Sequence, residues 1–255
     1  MRTLLVLILG IIIAFTISCS GDDPLDQDSE PPLAPTLRPH LGDTGDPPVT
    51  WNGNPYFVND NTNGIDTVPE GNFIRITWEP FVDTDLSHVD VYRFHHGLAI
   101  PELIATGVSP TAMSYTDTND LVFNTWYSYY TQLFDAAGNS SVSDTVSYAI
   151  ISKCTPLDPV NGAIVSPVGI KLHWANDSTG ADSFRVLMWR SDGTLLHSED
   201  IDLDVPTDVY EFQVPNGIVF TSGETISWRI DGFLHDFDHD IPMGSESAEQ
   251  YFTIE

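Results

Sequence analysis

Short runs of alternating apolar and polar residues recur through most of this chain. Because successive side chains of a strand point to opposite faces, a period of two indicates strands with one buried face. Clusters of Pro, Gly, Asn and Asp separate the runs, and these residues favour turns. The sequence therefore predicts an all-β fold of antiparallel strands. The clearest runs are 73–78, 89–94, 126–134, 140–150, 170–174 and 226–231.

The same layout occurs twice along the chain. There are 255 residues, and single domains usually hold about 100 to 150, so one large or two small domains would fit. An alternating run ends at Trp78 in the first half and another at Trp174 in the second. We therefore expect two tandem antiparallel β-sandwich domains, at 34–152 and 153–255, each with one of these tryptophans in its core.

The amino terminus has the layout of an export signal. Arg2 supplies a positive charge, and 4–17 is an almost unbroken apolar run. That run is short for a membrane span, which needs about 20 apolar residues, and it suits the core of a signal peptide. It ends at Ser18-Cys19, and a small residue directly before Cys resembles the lipobox of bacterial lipoproteins. Thr16 departs from the Leu that is usual in that family.

The resemblance implies that 1–18 is a signal peptide and that the Cys19 thiol is acylated, so that a lipid anchor would attach the mature chain to a membrane. Ser20, which follows the Cys, resembles an outer-membrane sorting address. The expected location is the cell envelope, at the outer membrane or the cell surface. The acidic, Pro-rich stretch 19–33 is predicted to be a flexible tether. With Cys19 acylated, Cys154 would have no disulfide partner within the chain.

Four segments of the first half resemble fibronectin type III domains. The first two, 74–80 and 83–93, resemble the second strand of such a domain and the entry to its third strand. The other two, 121–127 and 135–140, resemble the opening of a later strand and the turn that closes that strand. The resemblance implies that the Tyr127 hydroxyl bonds to backbone upstream, as a tyrosine corner. The second half is similar to Ig-like and fibronectin-like domains of bacterial surface proteins, but Ile226 stands in the place of that tyrosine.

The charge balance narrows the classes of partner and activity. Lys and Arg total 9 against 37 Asp and Glu, a formal net charge of −28. Nucleic acid is not expected as a partner, because phosphate backbones are held mainly by Lys and Arg. The sequence contains no G-x-S-x-G elbow, no H-E-x-x-H and no phosphate-binding Gly-Lys loop. We therefore expect no catalytic residues, no cofactor and no enzyme activity.

Four aromatic residues are candidates for a binding surface. They are Tyr92, Phe94, Tyr130 and Phe134, which alternation places on the outward face of two neighbouring strands. Pairing of aromatic rings across strands would explain them without any partner. Alternatively they form a platform for a protein or glycan partner, or a surface that the second domain covers.

Two acidic loops are candidates for calcium binding. Residues 59–70 have oxygen-bearing side chains at the first, third and fifth places, Gly at the sixth and Glu at the twelfth, as calcium loops do. However, Asn59 replaces the usual Asp, and no helices are predicted to flank the loop. Residues 235–240 hold five possible ligands without a distal carboxylate to complete the pattern. Plain polar turns are the preferred interpretation, and no metal site is predicted.

Together these observations favour a non-catalytic lipoprotein that serves as a surface binding, adhesion or spacer module. Its partners would be the membrane, through the lipid anchor, and a protein or glycan of unknown identity. The alternative is a carbohydrate-binding accessory protein of an extracellular hydrolase system, stabilised by calcium.

Acylation of Cys19 can be tested directly. Cells that produce the wild type in the presence of labelled palmitate should incorporate the label into this chain, because the thiol carries the acyl group. Cys19→Ala should remove the label, and Cys154→Ala is the matched control that should retain it. Equal labelling of the wild type and Cys19→Ala would contradict the lipoprotein interpretation.

Overall fold

All regular elements described by the computed structural model are β-strands. The structure describes residues 28–58, 65–66, 71–95, 100–176, 180–202, 207–236, 238 and 241–255. The all-β prediction is confirmed over this part of the chain. None of these residues belongs to a helix that is long and apolar enough to cross a membrane. The predicted signal peptide, Cys19 and most of the candidate calcium loop 59–70 lie outside the described residues.

Ten strands belong to the first half and nine to the second. The first ten are β1 Val49–Trp51, β2 Asn54–Tyr56, β3 Ile65–Asp66, β4 Phe73–Thr77, β5 Leu86–His95, β6 Glu102–Val108, β7 Ser114–Asp117, β8 Thr125–Asp135, β9 Ser140–Val142 and β10 Val146–Ile150. The others are β11 Thr155–Asp158, β12 Ala163–Val165, β13 Lys171–Ala175, β14 Ser183–Arg190, β15 Leu195–Asp202, β16 Val209–Gln213, β17 Thr225–Asp236, β18 Ile241–Glu246 and β19 Gln250–Ile254.

The first half packs its side chains between two layers of strands. A three-stranded sheet, β3-β4-β7, lies against β8 and β10. The alternation in β4 points Ile74 and Ile76 inward, where they meet Tyr129 and Tyr148. Trp78, fully buried just after β4, donates a hydrogen bond from Nε1 to the carbonyl of Ala112 at 2.8 Å. We refer to this cluster as the N-terminal core.

The second half is built in the same way. The three-stranded sheet β11-β13-β16 packs on β14 and β17. Trp174 of β13 is fully buried, stacks on Tyr210 at 5.7 Å and meets the ring of Phe184 edge to face at 5.6 Å. We refer to this cluster as the C-terminal core. The prediction that Trp78 and Trp174 are core residues is confirmed, since both have 0% exposure.

The two halves share one sheet. β10 pairs in parallel with β18, with Ala149 opposite Met243 and Ile150 opposite Gly244. The amide of Ile151 then donates to the carbonyl of Gly244 at 3.0 Å. Within the described residues this makes an eleven-stranded sheet with the backbone order β12-β19-β17-β18-β10-β8-β5-β6, to which β9, β14 and β15 are attached. Backbone hydrogen bonds therefore connect the two halves.

β18 corrects the expected layout of the second half. The sequence placed 235–240 in a loop directly before the last strand, whereas β17 runs to Asp236 and β18 pairs back along it. The segment 241–246 contains a Pro and a Gly and lacks a clear alternation, so its local sequence gives no strand signal. It is a strand because β17 and β10 supply hydrogen-bonding partners on both sides. His235 and Asp236 of the candidate acidic loop thus belong to β17.

A segment before β1 also joins the halves. Leu37 forms an isolated bridge with Trp78 and is fully buried in the N-terminal core. The chain then crosses to the second half as residues 40–46, which we call the strap. Gly45 of the strap has φ +94° and lies so close to β15 that a Cβ there would stand 2.5 Å from the Ser198 hydroxyl. Only glycine fits this close approach without displacing its neighbours.

Two arginines of the second half hold the strap. Arg185 donates from Nη1 to the carbonyl of Thr44 at 3.0 Å and pairs through Nη2 with Asp46 at 2.9 Å. Arg229 reaches the Thr44 hydroxyl at 3.5 Å. Its guanidinium is 1% exposed and lies between Asp231 and Glu246, at 2.8 and 2.7 Å. One buried cation therefore connects β17, β18 and the strap.

Removing the charge of Arg229 tests this joint. Arg229→Met keeps the aliphatic stem but leaves two buried carboxylates without their cation, so we expect a loss of about 3 to 5 kcal/mol in the free energy of unfolding. Urea denaturation followed by tryptophan fluorescence measures it.

The matched control is Lys171→Met, because the ion pair of Lys171 with Glu211 is close to half exposed on both sides. It should leave the denaturation midpoint almost unchanged, since exposed pairs contribute little. Equal midpoints for the two variants would show that Arg229 does not stabilise the joint.

Candidate binding surface

The outward face of β5 and β8 carries a row of aromatic rings. Alternation in β8 buries Tyr127, Tyr129, Thr131 and Leu133 and turns the residues between them outward. The four candidate residues all lie on the outward face, together with a histidine. We call the set the aromatic strip: His88, Tyr92, Phe94, Tyr130 and Phe134.

The rings of the strip form two stacked cross-strand pairs. Tyr92 faces Tyr130 with ring centroids 4.8 Å apart and planes 3° from parallel. His88 faces Phe134 at 4.6 Å and 5°. Phe94 extends the row, 6.5 Å from Tyr130 and tilted by 46°. Such pairs stabilise a sheet by about 0.5 to 1.5 kcal/mol beyond the area that they bury.

The stacking decides which parts of the rings a partner could contact. Each ring covers one face of its stacked partner, so that face is closed to a binding partner. All five side chains are half-buried. Tyr92 donates to the Gln132 side chain at 3.4 Å. Burial, and next the neighbouring Tyr92, raises the pKa of Tyr130. The shift favours the protonated form of this hydroxyl.

His88 is a member that the sequence analysis did not single out. It shares the even-numbered side of β5 with Tyr92 and Phe94, which is the signal that could have identified it. Its pairing with Phe134 was harder to foresee, because an irregularity between Leu86 and His88 shifts the register of β5 against β8. The imidazole also lies 3.6 Å from the carboxylate of Asp90 on the same face.

Behind the strip, the inward face of β5 carries a buried charge. The Arg93 guanidinium donates to Asp117 and to Glu102, both at 2.9 Å, and lies 5.3 Å above the ring of Tyr127. The Tyr129 hydroxyl donates to the same Asp117 oxygen at 2.9 Å. Burial, and next the charge of Asp117, raises the pKa of Tyr129 far above its usual value. The sequence analysis missed this network because inward residues of a strand are normally apolar.

The loop between β7 and β8 is fixed from the inside by two of these side chains. Tyr127 accepts a hydrogen bond on its hydroxyl from the amide of Val122 at 2.8 Å, which confirms the predicted tyrosine corner. Arg93 donates from Nη1 to the carbonyl of Asn119 at 2.7 Å. Asp120 and Asn124 adopt φ of 49° and 57°, a conformation that Asp and Asn tolerate better than most residues. The loop is therefore pre-shaped.

A cavity of about 370 Å³ opens between this loop and the end of β5. Its lining includes Arg93 and His95 of β5, Glu102 of β6, Asp120 of the loop and Trp126 of β8. Trp126 is an even-numbered residue of β8, like Tyr130 and Phe134, and so shares their face of the strand. Since the end of β8 that holds Trp126 pairs with the end of β5 that holds Phe94, the cavity lies at the Phe94 end of the strip.

Three carboxylates meet at the opposite end of β8. Oxygen atoms of Asp28, Asp85 and Asp135 lie within 4.8 Å of one another. Desolvation raises the pKa of Asp135, but hydrogen bonds from Asn139 outweigh it and hold this pKa below its ordinary value. Asn139 donates to both Asp135 oxygens, each at 2.8 Å, and to the carbonyl of Asp28 at 3.0 Å. The arrangement attaches the predicted tether to the turn after β8, and the expectation of no metal site stays a prediction.

Comparison with known proteins adds little to this geometry. No family model matches the chain, and no curated protein matches it. Solved structures do match, among them the FN1–FN3 domains of chicken CNTN1. That alignment has 11% identity and a TM-score of 0.32, and it covers 66% of this chain but only 56% of the other. A likeness of that size supports no inference about what this chain does.

The tyrosine corner yields a stability prediction. Tyr127→Phe keeps the ring and removes the acceptor for the Val122 amide, so we expect a loss of about 1 kcal/mol, the usual net value of one hydrogen bond. Urea denaturation measures the change. Tyr251→Phe, on a residue that is 48% exposed, is the matched control and should not shift the midpoint. Identical midpoints for all three proteins would argue against a stabilising corner.

Proposed function

We propose that this chain is a lipid-anchored protein of a bacterial cell envelope that binds a partner without catalysing a reaction. The observation that carries the proposal is the aromatic strip, a row of five half-buried rings on the outward face of β5 and β8. The signal sequence and Ser18-Cys19 support the anchor and the location at the outer membrane or cell surface.

The proposed architecture is two tandem β-sandwich domains, at 34–152 and 153–255, the first of the fibronectin type III kind and the second Ig-like or fibronectin-like. Two separate hydrophobic cores support it, each with a fully buried tryptophan next to a three-stranded sheet. The bond from Val122 to Tyr127 supports the assignment of the first domain.

Support for a non-catalytic role comes from the groups whose pKa departs furthest from its usual value. Tyr129 and Tyr148 are both raised, chiefly by burial. Tyr129 donates to Asp117, and Tyr148 donates to the carbonyl of Arg38 at 3.0 Å. Perturbed groups often mark catalytic sites, but these two complete hydrogen bonds inside the N-terminal core, where they stabilise the fold.

The orientation of the rings favours a protein over a glycan as the partner of the strip. Sugars bind aromatic side chains by laying their C–H groups on an open ring face. In the strip, the pairs Tyr92–Tyr130 and His88–Phe134 cover one face of each ring with the other ring. Each of these rings therefore has one face fewer for a sugar to pack on, whereas the ring edges and tyrosine hydroxyls suit the mixed polar and apolar surface of a protein.

Charge favours a basic partner. Ion pairs with Asp or Glu are formed by Arg38, Arg93, Lys171, Arg185, Arg190 and Arg229. The formal net charge of −28 already counts every Lys and Arg, so a large negative excess remains. A second copy of this chain would be repelled, whereas a basic protein would be attracted.

A spacer role is the second candidate, and one observation favours it. The parallel pairing of β10 with β18, together with the strap, joins the two halves through backbone and buried ionic contacts. A joint of this kind keeps the second half at a constant distance and orientation, as a spacer requires.

Site-specific photo-crosslinking tests the binding role of the strip. A photoreactive phenylalanine analogue at Tyr92 should form an adduct with a basic protein in producing cells. Tyr130→Ser in the same chain should reduce that adduct about tenfold, because an aromatic hot spot contributes about 1 to 2 kcal/mol. Raising the ionic strength should weaken it further, since salt screens exposed charges.

The same analogue at Tyr251 is the control, because that ring is exposed in the second half, away from the strip. Adducts of equal yield at both positions, or an adduct that Tyr130→Ser leaves intact, would show that the strip is a structural ladder. The spacer role would then be the better proposal.

A further inference from the structure

The cavity beside the loop 118–124 has the size and the construction of a ligand site. Its volume of about 370 Å³ lies within the range of small-molecule sites, roughly 300 to 1,000 Å³. Its wall is held in place before any ligand arrives, through the bonds from Arg93 to Asn119 and from Val122 to Tyr127. A pre-shaped wall lowers the entropy that binding costs.

The charges around the cavity exclude an anionic ligand. Arg93 is the cation in the lining, and Asp117 and Glu102 already pair with it at 2.9 Å. Asp120 adds an exposed carboxylate to the rim. The local balance is therefore negative, and a carboxylate or sulfate on a ligand would be repelled.

The remaining polar groups suit hydroxyl groups. Glu102 keeps a side chain that is 64% exposed, and Asp120 and Asn124 are exposed at the rim. Carboxylates accept hydrogen bonds only, while an amide both donates and accepts. Sugar hydroxyls also do both, so adjacent hydroxyls of a sugar ring can use all three side chains together.

An aromatic side chain completes the lining. The indole of Trp126 is half-buried and lies along the cavity next to the polar rim. Indole is a large apolar ring that can pack against the C–H groups of a pyranose.

We propose that this cavity binds a neutral oligosaccharide. Trp126 packs against one sugar ring, Glu102 and Asp120 accept from its hydroxyls, and Asn124 both donates and accepts. The site is distinct from the strip, so the inference goes beyond the proposed binding of a basic protein.

Calorimetric titration of the purified mature chain tests the proposal. The probes are neutral hexasaccharides of glucose, mannose, xylose and galactose, with a hexauronate as the anionic counterpart. At least one neutral probe should bind with a Kd of about 1 mM or tighter, and the hexauronate should bind more weakly. Asp120→Asn, which keeps the size of the side chain and tolerates the positive φ, should weaken binding by about tenfold through a lost charge-assisted hydrogen bond.

Trp126→Ala should abolish binding, and Tyr251→Ala is the matched aromatic control that should not change it. If Trp126→Ala fails to fold, Asp120→Asn remains the test. Tyr92→Ser should leave sugar binding unchanged, so failure of the protein-binding proposal is separable from failure of this one. Absence of binding by every neutral probe, tighter binding of the hexauronate, or sugar binding that Asp120→Asn leaves intact would overturn the inference.

Discussion

Buried arginines placed between carboxylates are the interactions on which this structure most depends. With 37 acidic and 9 basic residues, the chain would repel itself if all its carboxylates faced one another across solvent. Arg93 connects β5 to β6 and β7, Arg185 connects β14 to β15 and the strap, and Arg229 connects β17 to β18. Each cation pairs with two carboxylates and connects elements that are distant in sequence. Since Cys154 is the one cysteine among the described residues, packing and these ion pairs stabilise the fold.

The parts of the fold that local sequence determines could be predicted. The period of two located β4, β5, β8 and β13. The position of Trp78 and Trp174 at the ends of alternating runs placed both in the cores. The resemblance of 121–127 to fibronectin type III domains implied the bond of Tyr127 to the upstream backbone. In each case the sequence pattern lies within a few residues of the structural feature that it predicts. Short-range alternation and turn chemistry are sufficient there.

The parts that depend on distant partners could not be predicted. β18 is a strand because β10 and β17 flank it, although its own residues include a Pro and a Gly. The strap is Gly- and Asp-rich and has the composition of a linker, yet Arg185 and Arg229 hold it from the second half. The aromatic strip likewise has a part that local sequence predicted and a part that depends on distant partners. Alternation placed Tyr92, Phe94, Tyr130 and Phe134 on one face, but the distances and angles between their rings depend on packing.

The two ends of β8 have different roles, and this relates the anchor to the binding surface. At its carboxyl end, Asn139 and Ser141 donate to carbonyls of Asp28 and Pro32, so the tether enters there. At its amino end, Thr125 pairs with Ile150, whose other neighbour is Gly244 of the second half. β8 has 11 residues and is therefore about 35 Å long. The described start of the predicted tether and the second half therefore contact opposite ends of β8, with the strip along its length and the cavity at the junction end. In the proposed arrangement, a partner on the strip would lie beside the tether, whereas a sugar in the cavity would lie farther from it.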